Sequence, residues 1–173
     1  MRRIGFKTPT LVVNDALVAL VAGAGDEPGV VLVAGTGSIA YGRDGAGRAA
    51  RAGGWGYLLG DEGAGFWIGR AALSAVVRQF DGRGPATLLT DLALRHMGLA
   101  SPAQLIHEIY YRDLRRHAIA GLAALVQLAT DEGDAVAAQI LARAGAELTA
   151  AAASVITRLG MRGEVFPTVL AGG

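Results

Sequence analysis

The sequence predicts an α/β fold, with strands and loops in its first part and helices in most of the remainder. Fifteen of the 26 glycines lie between residues 23 and 69, where short runs of apolar, β-type residues also occur. The rest of the chain is rich in alanine and leucine, and its apolar residues recur at helical spacing. Strands and functional loops are therefore expected in the glycine-rich part.

The first predicted elements are a short strand and a helix. Residues 10–13 are β-type in character, and Asn14 and Asp15 are typical helix caps, so we expect a helix through about residue 22. A continuous apolar run over residues 30–34 then predicts a strand that is covered on both faces.

A hairpin is predicted directly after that strand. Its two strands occupy residues 38–42 and 48–52, because the segment between them carries an Asp-Gly dipeptide that is typical of tight turns. An acid pair at residues 61 and 62 then predicts the start of a helix that continues to about residue 80.

Helices account for most of the remaining chain. We predict three of them, over about residues 85–97, 102–110 and 113–129. Gly133 and Asp134 interrupt the pattern and begin a long helix to about residue 159, and residues 165–170 form a last strand.

The composition excludes several functional classes. The chain has 173 residues, 52% of them hydrophobic, which is enough for one domain with its own core. Its net charge of +1 gives no basic footprint for nucleic acid. We interpret the basic cluster of Arg112, Arg115, Arg116 and His117 as the solvated face of a helix. No run of about 18 apolar residues occurs, so we expect no transmembrane helix.

Cysteine is absent, which excludes disulfides, thiolate metal sites and iron–sulfur ligation. The absence is compatible with a reducing cytoplasm, where we expect the protein to reside. Lys7 is the only lysine, so no Gly-Lys-Ser/Thr motif follows a glycine-rich loop and the chain is not a P-loop protein. The histidines lack metal-ligand spacing, and no serine lies in a Gly-x-Ser-x-Gly motif.

The strongest chemical signal is the segment Gly35-Thr36-Gly37-Ser38, which directly follows the apolar strand. Glycines let backbone N–H groups approach an anion closely, and the two hydroxyl side chains add further donors. A strand that runs into such a loop is typical of a phosphate site. An ordinary turn between two strands remains the alternative.

A second glycine-dense segment, residues 53–65, contains Trp55 and the acid pair Asp61 and Glu62. Glycine costs backbone entropy, so its density indicates that tight geometry is needed. Trp55 is either a core residue or a ligand contact. The acids either begin a helix or, beside a phosphate loop, hold substrate hydroxyls or a water-bound Mg²⁺.

Asp15 follows a short strand and opens a helix. A carboxylate at this position can be a cap that the helix dipole stabilises. It can equally be a general base that accepts a proton from a substrate hydroxyl. The spacing alone leaves both roles open.

Together these segments resemble the N-acetylglucosamine kinase family. That group is pooled with the activator ATPases of benzoyl-CoA reductase and 2-hydroxyacyl-CoA dehydratases, within the sugar kinase, Hsp70 and actin superfamily. The resemblance runs from about residue 12 to residue 173, and five segments carry it: residues 14–16, 34–38, 53–63, 133–134 and 170–173. It implies a ribonuclease H-like, actin-type ATPase domain with a mixed sheet, a hairpin and a helical insertion over about residues 85–129.

The resemblance also implies an activity and its residues. The activity is ATP-dependent phosphorylation of N-acetylglucosamine or glucosamine, with ATP and Mg²⁺ as cofactors. Asp15 matches the aspartate that deprotonates the sugar hydroxyl attacking the γ-phosphate. The positions that match cofactor contacts are Gly35, Thr36, Gly37, Ser38, Ala120 and Gly172. Those that match sugar contacts are Asn14, Gly54, Trp55 and Asp61, and no residue matches a metal ligand.

The chain departs from the family in one respect. The family has two such domains around a cleft, and the Asp-Gly-Gly-x-Thr phosphate hairpin that opens the first domain has no equivalent here. We therefore expect residues 1–27 to be the tail of the first domain and residues 28–173 to be the second ATPase domain, incomplete at its C-terminus. We expect a fragment or truncated product that is inactive alone, because half of the phosphate clamp is missing.

Partners and alternative functions follow from the same resemblance. We expect a small-molecule sugar substrate, no nucleic acid, no membrane and a homodimer formed through the helical part. An activator-type ATPase is the first alternative, although such activators hold an iron–sulfur cluster with cysteines that are absent here. The second is a module that binds a nucleotide or sugar without catalysis.

Overall fold

The computed structural model describes residues 15–112 and 115–172, and within them four strands form one mixed sheet. The apolar run forms β1 (Gly29–Ala34), which pairs antiparallel with β2 (Ser38–Arg43). β3 (Ala49–Gly53) completes the hairpin, and β4 (Thr168–Ala171) pairs parallel with β1. The order is β3-β2-β1-β4. The predicted α/β fold with a mixed sheet and a hairpin is confirmed.

The two faces of β1 are covered by helices from opposite ends of the chain. Val31 packs against Leu20 of α1 (Asp15–Ala24). Val30 points to the other face and packs against Val155 and Leu159 of α7 (Ala135–Leu159). Coverage on both faces explains why β1 is continuously apolar instead of alternating.

The remaining helices form a separate apolar core beside the sheet. They are α2 (Gly65–Phe80), α3 (Leu89–Met97), α4 (Leu105–Tyr111), α5 (Arg116–Gly121) and α6 (Ala123–Asp131). The first half of α7 closes this core, since Ala137 and Ile140 are buried within it. One long helix therefore joins the helical part to the sheet.

Two predicted helix starts are wrong, because other contacts take up the residues at which those helices were expected to begin. The helix expected from Asp61 begins at Gly65, because residues 61–64 form a turn in which Asp61 has a φ of 61°. The helix expected from residue 85 begins at Leu89, since the backbone N–H of Leu88 donates to the carboxylate of Asp134 instead.

Other predicted boundaries shift as well. The helix expected over residues 113–129 is two helices, α5 and α6, which meet at Leu122. The last strand starts at Thr168, immediately after Pro167, whose carbonyl oxygen accepts the N–H of Val30. The strand expected over residues 10–13 lies outside the described residues.

Asp134 joins three elements. Its carboxylate accepts the N–H of Ala137 at 2.8 Å, which caps α7, and it also accepts the N–H of Leu88 and the hydroxyl of Thr87. Burial alone would raise the pKa of Asp134, but these hydrogen bonds and the nearby N–H of Val136 hold that pKa below its ordinary value. The carboxylate is therefore bound as an anion.

Among the described residues, α7 is the one helix whose length and composition would suffice to cross a membrane. The sequence predicts none, because no long run is wholly apolar. A core helix satisfies the same criterion, and α7 packs against β1, β2, β3 and two helices.

Candidate active site

The loops that carry the candidate residues meet at one end of the sheet. β1 and β4 are parallel, so the loop after Ala34 and the residue after Ala171 lie at the same end. β2 is antiparallel to β1 and begins at this end, and β3 is antiparallel to β2 and finishes there. The topology thereby gathers residues 35–38, residues 54–61 and Gly172.

Asp15 lies toward the same end of the sheet. A short turn joins α1 to β1, and Leu20 and Ala24 of the helix lie against Gly29 at the start of the strand. The helix therefore runs antiparallel to β1, and its first residue points back toward the carboxyl end of that strand. Asp15 is exposed there. The neighbouring candidate, Asn14, lies outside the described residues.

The loop of residues 35–38 is fixed by hydrogen bonds to the segments that follow the hairpin. The N–H of Gly65 donates to the carbonyl of Gly35 at 2.8 Å, and the N–H of Phe66 donates to Thr36 at 3.3 Å. The Ser38 hydroxyl donates to the carbonyl of Glu62 at 2.8 Å. The Ser38 side chain is therefore used in holding the loop, whereas Thr36 and Gly37 line a cleft.

Asp61 lies directly across from this loop. Its side chain is buried, and Oδ1 accepts the backbone N–H of Ser38 at 3.3 Å. A Cβ placed on Gly37 would lie 2.7 Å from Oδ2 of Asp61, so glycine is what allows the two segments to approach. Asp61 has a left-handed backbone, which few residues other than glycine, asparagine and aspartate adopt readily.

Two adjoining clefts open beside the loop. The first, the Asp61 cleft, has a volume of about 700 Å³ and is lined by Thr36, Gly37, Tyr57, Asp61, Arg115, Arg116 and His117. The second, the Ala120 cleft, has a volume of about 490 Å³ and is lined mainly by small and apolar residues, including Ala34, Gly35, Ile68, Ala120, Gly121 and Ala123. Thr36 and His117 line both clefts, so the two are neighbours.

Close packing of helices forms the wall of the Ala120 cleft. A Cβ at Gly69 of α2 would collide with the backbone of Ile119 in α5. A Cβ at Gly65 would lie 3.3 Å from the carbonyl oxygen of Ala120. Glycines on α2 therefore bring α5, and with it Ala120, against the loop of residues 35–38.

Gly172 lies at the edge of the Ala120 cleft. It has a φ of 120°, and a Cβ there would collide with the backbone of Ala34, which lines the cleft. Of the predicted cofactor positions, Gly35, Thr36 and Ala120 line the cleft directly and Gly172 is adjacent.

Gly54 and Trp55 lie apart from both clefts. Gly54 has a φ of 69° and packs against Ile39, and the ring of Trp55 is 64% exposed with the Arg51 guanidinium 4.6 Å from its centroid. Trp55 is therefore not a core residue. Asp15 also lines neither of these two clefts.

Three basic residues, Arg115, Arg116 and His117, join the candidate site although the sequence did not mark them for it. They are exposed, as expected for a solvated face, but all three line the Asp61 cleft. Arg112 behaves as predicted and pairs with Glu108 at 3.6 Å. The available signal was that the three basic residues stand just before Ala120 in the chain.

The donor set fits a nucleotide with Mg²⁺ better than a metal held by protein alone. No group of three or more His, Asp or Glu side chains that could enclose an ion occurs in residues 15–112 and 115–172. Mg²⁺ usually binds through one or two carboxylates together with phosphates and water. Asp61, beside Thr36 and the space that glycine leaves at Gly37, fits that arrangement.

Comparison with known proteins gives consistent results. The profile of the BadF/BadG/BcrA/BcrD ATPase family matches residues 5–173. The N-acetylmuramic acid/N-acetylglucosamine kinase of Clostridium acetobutylicum is 39% identical over the whole chain, which covers 56% of that protein. The N-acetyl-D-glucosamine kinase of Dictyostelium discoideum is 39% identical over 165 residues, 92% of this chain and 51% of its own length.

Two solved structures are similar in fold. A Chromobacterium violaceum protein proposed to be an N-acetylglucosamine kinase superposes with a TM-score of 0.77 at 31% identity, over 93% of this chain and 53% of its own. A Porphyromonas gingivalis protein superposes with a TM-score of 0.61 at 24% identity, over 91% and 61%. The chain spans about half the length of the curated relatives it matches.

Proposed function

The chain belongs to the BadF/BadG/BcrA/BcrD ATPase family, and from this premise we propose that it supplies the nucleotide-binding part of an ATP-dependent amino-sugar kinase. The observation that carries the proposal is the convergence of the loop of residues 35–38 with Asp61 in one cleft, next to the apolar Ala120 cleft. Phosphoryl transfer needs little besides positioning, charge neutralisation and a base.

The two clefts suggest a division of labour for the nucleotide. The small and apolar lining of the Ala120 cleft suits an adenosine, with Gly172 at its edge. The loop at Gly35 and Thr36 then lies where the phosphates would follow, because Thr36 lines both clefts. Mg²⁺, when bound with the nucleotide, would neutralise phosphate charge. Asp61 lines the same cleft, but we assign its carboxylate to the sugar, so no residue of this chain is assigned to the ion.

The proposed chemistry transfers the γ-phosphoryl group to a sugar hydroxyl. Asp15 accepts the hydroxyl proton while the sugar oxygen bonds to the γ-phosphorus and the bond to the ADP oxygen breaks. The direction of α1, which begins at the active end of the sheet, supports this role. Asp61 accepts hydrogen bonds from other sugar hydroxyls, and Asn14, Gly54 and the exposed ring of Trp55 provide further sugar contacts.

The acceptor is proposed to be an N-acetylated or free amino sugar. The curated relatives are named as kinases of N-acetylglucosamine and, in one case, also of N-acetylmuramic acid. We therefore propose N-acetylglucosamine, glucosamine and N-acetylmuramic acid as the substrates to test. Activator-type ATP hydrolysis and ligand binding without catalysis are the alternatives that the same assay separates.

Domain organisation and assembly are part of the same proposal. Residues 1–27 are proposed to end a first domain and residues 28–173 to form the second, because the chain covers about half of its curated relatives. Homodimerisation through the helical part would cover the exposed side chains of Ile106, Tyr110 and Tyr111 on α4. A cytoplasmic location suits an ATP-dependent enzyme.

The test is a coupled ADP-release assay on the longest open reading frame that contains the chain, and on the chain itself. Each sample receives Mg-ATP with one candidate sugar or with glucose. We expect sugar-dependent turnover from the longer product, and loss of general-base catalysis in Asp15→Asn should lower kcat by about 100-fold or more. Asp61→Asn should mainly raise the KM for sugar, because asparagine keeps the left-handed backbone and removes the charge.

Asp26→Asn is the matched control, since Asp26 is a fully exposed aspartate in the turn between α1 and β1. ATP hydrolysis that ignores every sugar would favour the activator ATPase. Absence of turnover in both products would favour the binding module. Efficient phosphorylation by the 173-residue chain would contradict the expectation that this chain is inactive alone.

A further inference from the structure

One wall of the Asp61 cleft is strongly basic. Arg115, Arg116 and His117 line the cleft together with Thr36, Gly37 and Asp61. The basic residues come from the helical part of the chain and the others from loops at the end of the sheet. The cleft of about 700 Å³ is therefore lined both by cationic side chains and by the proposed phosphate loop.

Arg116 is held in place by an aromatic ring that leaves its charge intact. Its guanidinium carbon lies 4.8 Å from the ring centroid of Tyr57, and that ring packs edge-on against buried Phe66 at 5.1 Å. A cation–π contact orients a guanidinium without neutralising it. The five N–H donors of the side chain remain able to bind an oxygen anion.

The described residues provide no carboxylate partner for either arginine of this wall. Other arginines are paired: Arg48 with Asp44 at 2.6 Å and Arg112 with Glu108 at 3.6 Å. No ion pair joins Arg115 or Arg116 to an acidic side chain anywhere in residues 15–112 and 115–172. Two positive charges thus line the cleft, and no acidic side chain in the described part of the chain forms an ion pair with either.

We propose that Arg115 and Arg116 form an anion site on the sugar side of the Asp61 cleft, which binds a phosphate or carboxylate group in the ternary complex. The proposal rests on the kinase function proposed above. A planar guanidinium can donate two parallel hydrogen bonds to two oxygens of a phosphate or to the two oxygens of a carboxylate. The anion has two possible sources, the terminal phosphate of the nucleotide and a carboxylate on the amino sugar itself.

The experiment measures binding by calorimetry. It uses the protein encoded by the longest open reading frame that contains the chain, as wild type and as the double variant Arg115→Gln/Arg116→Gln. The probes are ADP, a non-hydrolysable ATP analogue, N-acetylglucosamine and N-acetylmuramic acid, which adds a carboxylate to the same amino sugar. Loss of charge-assisted hydrogen bonds should weaken binding of at least one anionic probe by about 10- to 100-fold. Binding of neutral N-acetylglucosamine should stay within about twofold, because it carries no anionic group for the arginines.

The pattern of losses distinguishes the two sources. Weaker binding of the ATP analogue relative to ADP assigns the site to the terminal phosphate. Weaker binding of N-acetylmuramic acid relative to N-acetylglucosamine assigns it to a sugar carboxylate. Arg116→Lys should recover only part of the affinity, because an ammonium group cannot form the paired hydrogen bonds.

Arg112→Gln is the matched control, since it removes the same charge from the same cluster but does not line the cleft. The proposal is overturned if the anionic probes bind the double variant as they bind wild type, if Arg112→Gln weakens them equally, or if wild type binds none of them. Failure of the kinase proposal is seen separately, as absence of sugar-dependent turnover in wild type. Both arginines are exposed, so the double variant should stay folded and lose little stability beyond the cation–π contact of Arg116 with Tyr57, which thermal unfolding measures.

Discussion

At the scale of single residues, the candidate site contains one aspartate in an uncommon backbone conformation. Asp61 is the one described residue other than glycine with a positive φ, and it is buried. Such conformations cost free energy and persist where the surrounding structure enforces them, often at functional sites. Here the N–H of Ser38 and the close approach of Gly37 hold the carboxylate at the cleft.

Gly37→Ala should displace the Asp61 carboxylate. The new Cβ would lie 2.7 Å from Oδ2, so the side chain must move and weaken its hydrogen bond to Ser38. We expect a loss of about 1 kcal/mol in the free energy of unfolding, measured by urea denaturation. Gly35→Ala is the matched control, because a Cβ there meets no atom within 4 Å. Equal stability of the two variants would refute this account of Gly37.

Single residues of the candidate site differ in how far the sequence indicates them. The dense glycines and hydroxyls marked Gly35 and Thr36 as candidates for a phosphate site, and both line the Ala120 cleft. The basic residues before Ala120 have the sequence pattern of a solvated face, since an exposed arginine has the same local pattern whether it faces bulk water or a cleft. Whether an exposed arginine faces water or a cleft depends on which other segments of the chain fold next to it.

At the scale of elements, the contact between α2 and α5 determines the shape of the Ala120 cleft. Gly69 is buried on α2 and lies against the backbone of Ile119, next to Ala120. The short α5 is brought to the cleft by this glycine contact. The chain thereby uses a residue that weakens an isolated helix to gain a closer approach between two helices.

Gly69→Ala should push α5 away from α2. A Cβ at this position would overlap the Ile119 carbonyl, a backbone group that cannot rotate aside. We expect a destabilisation of about 1–3 kcal/mol in chemical unfolding, as for other overpacked sites, together with weaker ADP binding in calorimetry.

Gly145→Ala provides the comparison for Gly69→Ala. Gly145 lies within α7, and a Cβ there meets no atom within 4 Å. Alanine has the higher helix propensity, so this variant should be more stable by about 0.5–1 kcal/mol and bind ADP unchanged. Stabilisation by both substitutions would show that α2 and α5 are not in tight contact.

Helix existence was predictable from periodicity, but the ends of several helices were not. The helix predicted from residue 61 starts at Gly65, because the carboxylate of Asp61 accepts the backbone N–H of Ser38 instead of beginning a helix. The helix predicted from residue 85 starts at Leu89 because Asp134, distant in sequence, accepts the N–H of Leu88. Both displaced ends result from hydrogen bonds between segments, which local propensity does not contain.

At the scale of the whole molecule, two buried carboxylates stabilise the fold as anions. Asp134 joins α7 to the start of α3, and Asp44 holds the hairpin turn through Arg48 and the N–H of Ala46. Burial would raise the pKa of Asp44, but hydrogen bonds and the charge of Arg48 lower it below its ordinary value, as the hydrogen bonds do for Asp134.

Stability should therefore fall at acid pH. A folded-state pKa below the unfolded value means that the unfolded chain binds more protons, so the free energy of unfolding decreases as pH falls below about 4. The Asp134→Asn variant should be less stable at pH 7, where the anionic acceptor is lost. Its stability should also depend less on pH than that of wild type, so the two curves converge on acidification.

Thermal and urea unfolding from pH 7 to pH 2.5 measures these curves. Glu164→Gln is the control, since Glu164 is exposed, and its curve should match that of wild type. A constant difference between wild type and Asp134→Asn across the whole range would show that the carboxylate charge does not contribute.

The sequence by itself determined the class of fold, the order of strands along the chain, the hairpin and the long final helix. Each of these depends on local information: apolar runs, turn dipeptides and helical spacing. The same information marked Thr36 and Asp61 as chemical residues. Only the tertiary structure decided that they face each other, because the parallel pairing of β1 with β4 and the reversal of β2 bring distant loops to one end of the sheet.

Tertiary structure also decided which of the basic residues face the site. Arg112, Arg115 and Arg116 are equivalent by composition, yet Arg112 pairs with Glu108 whereas the other two line the Asp61 cleft. Arg115 and Arg116 reach the cleft because α5 lies close to α2, and Gly69 permits that close approach. The physical reason is that local sequence sets the conformation of each segment, whereas the neighbours of an exposed side chain are set by packing between segments far apart in the chain.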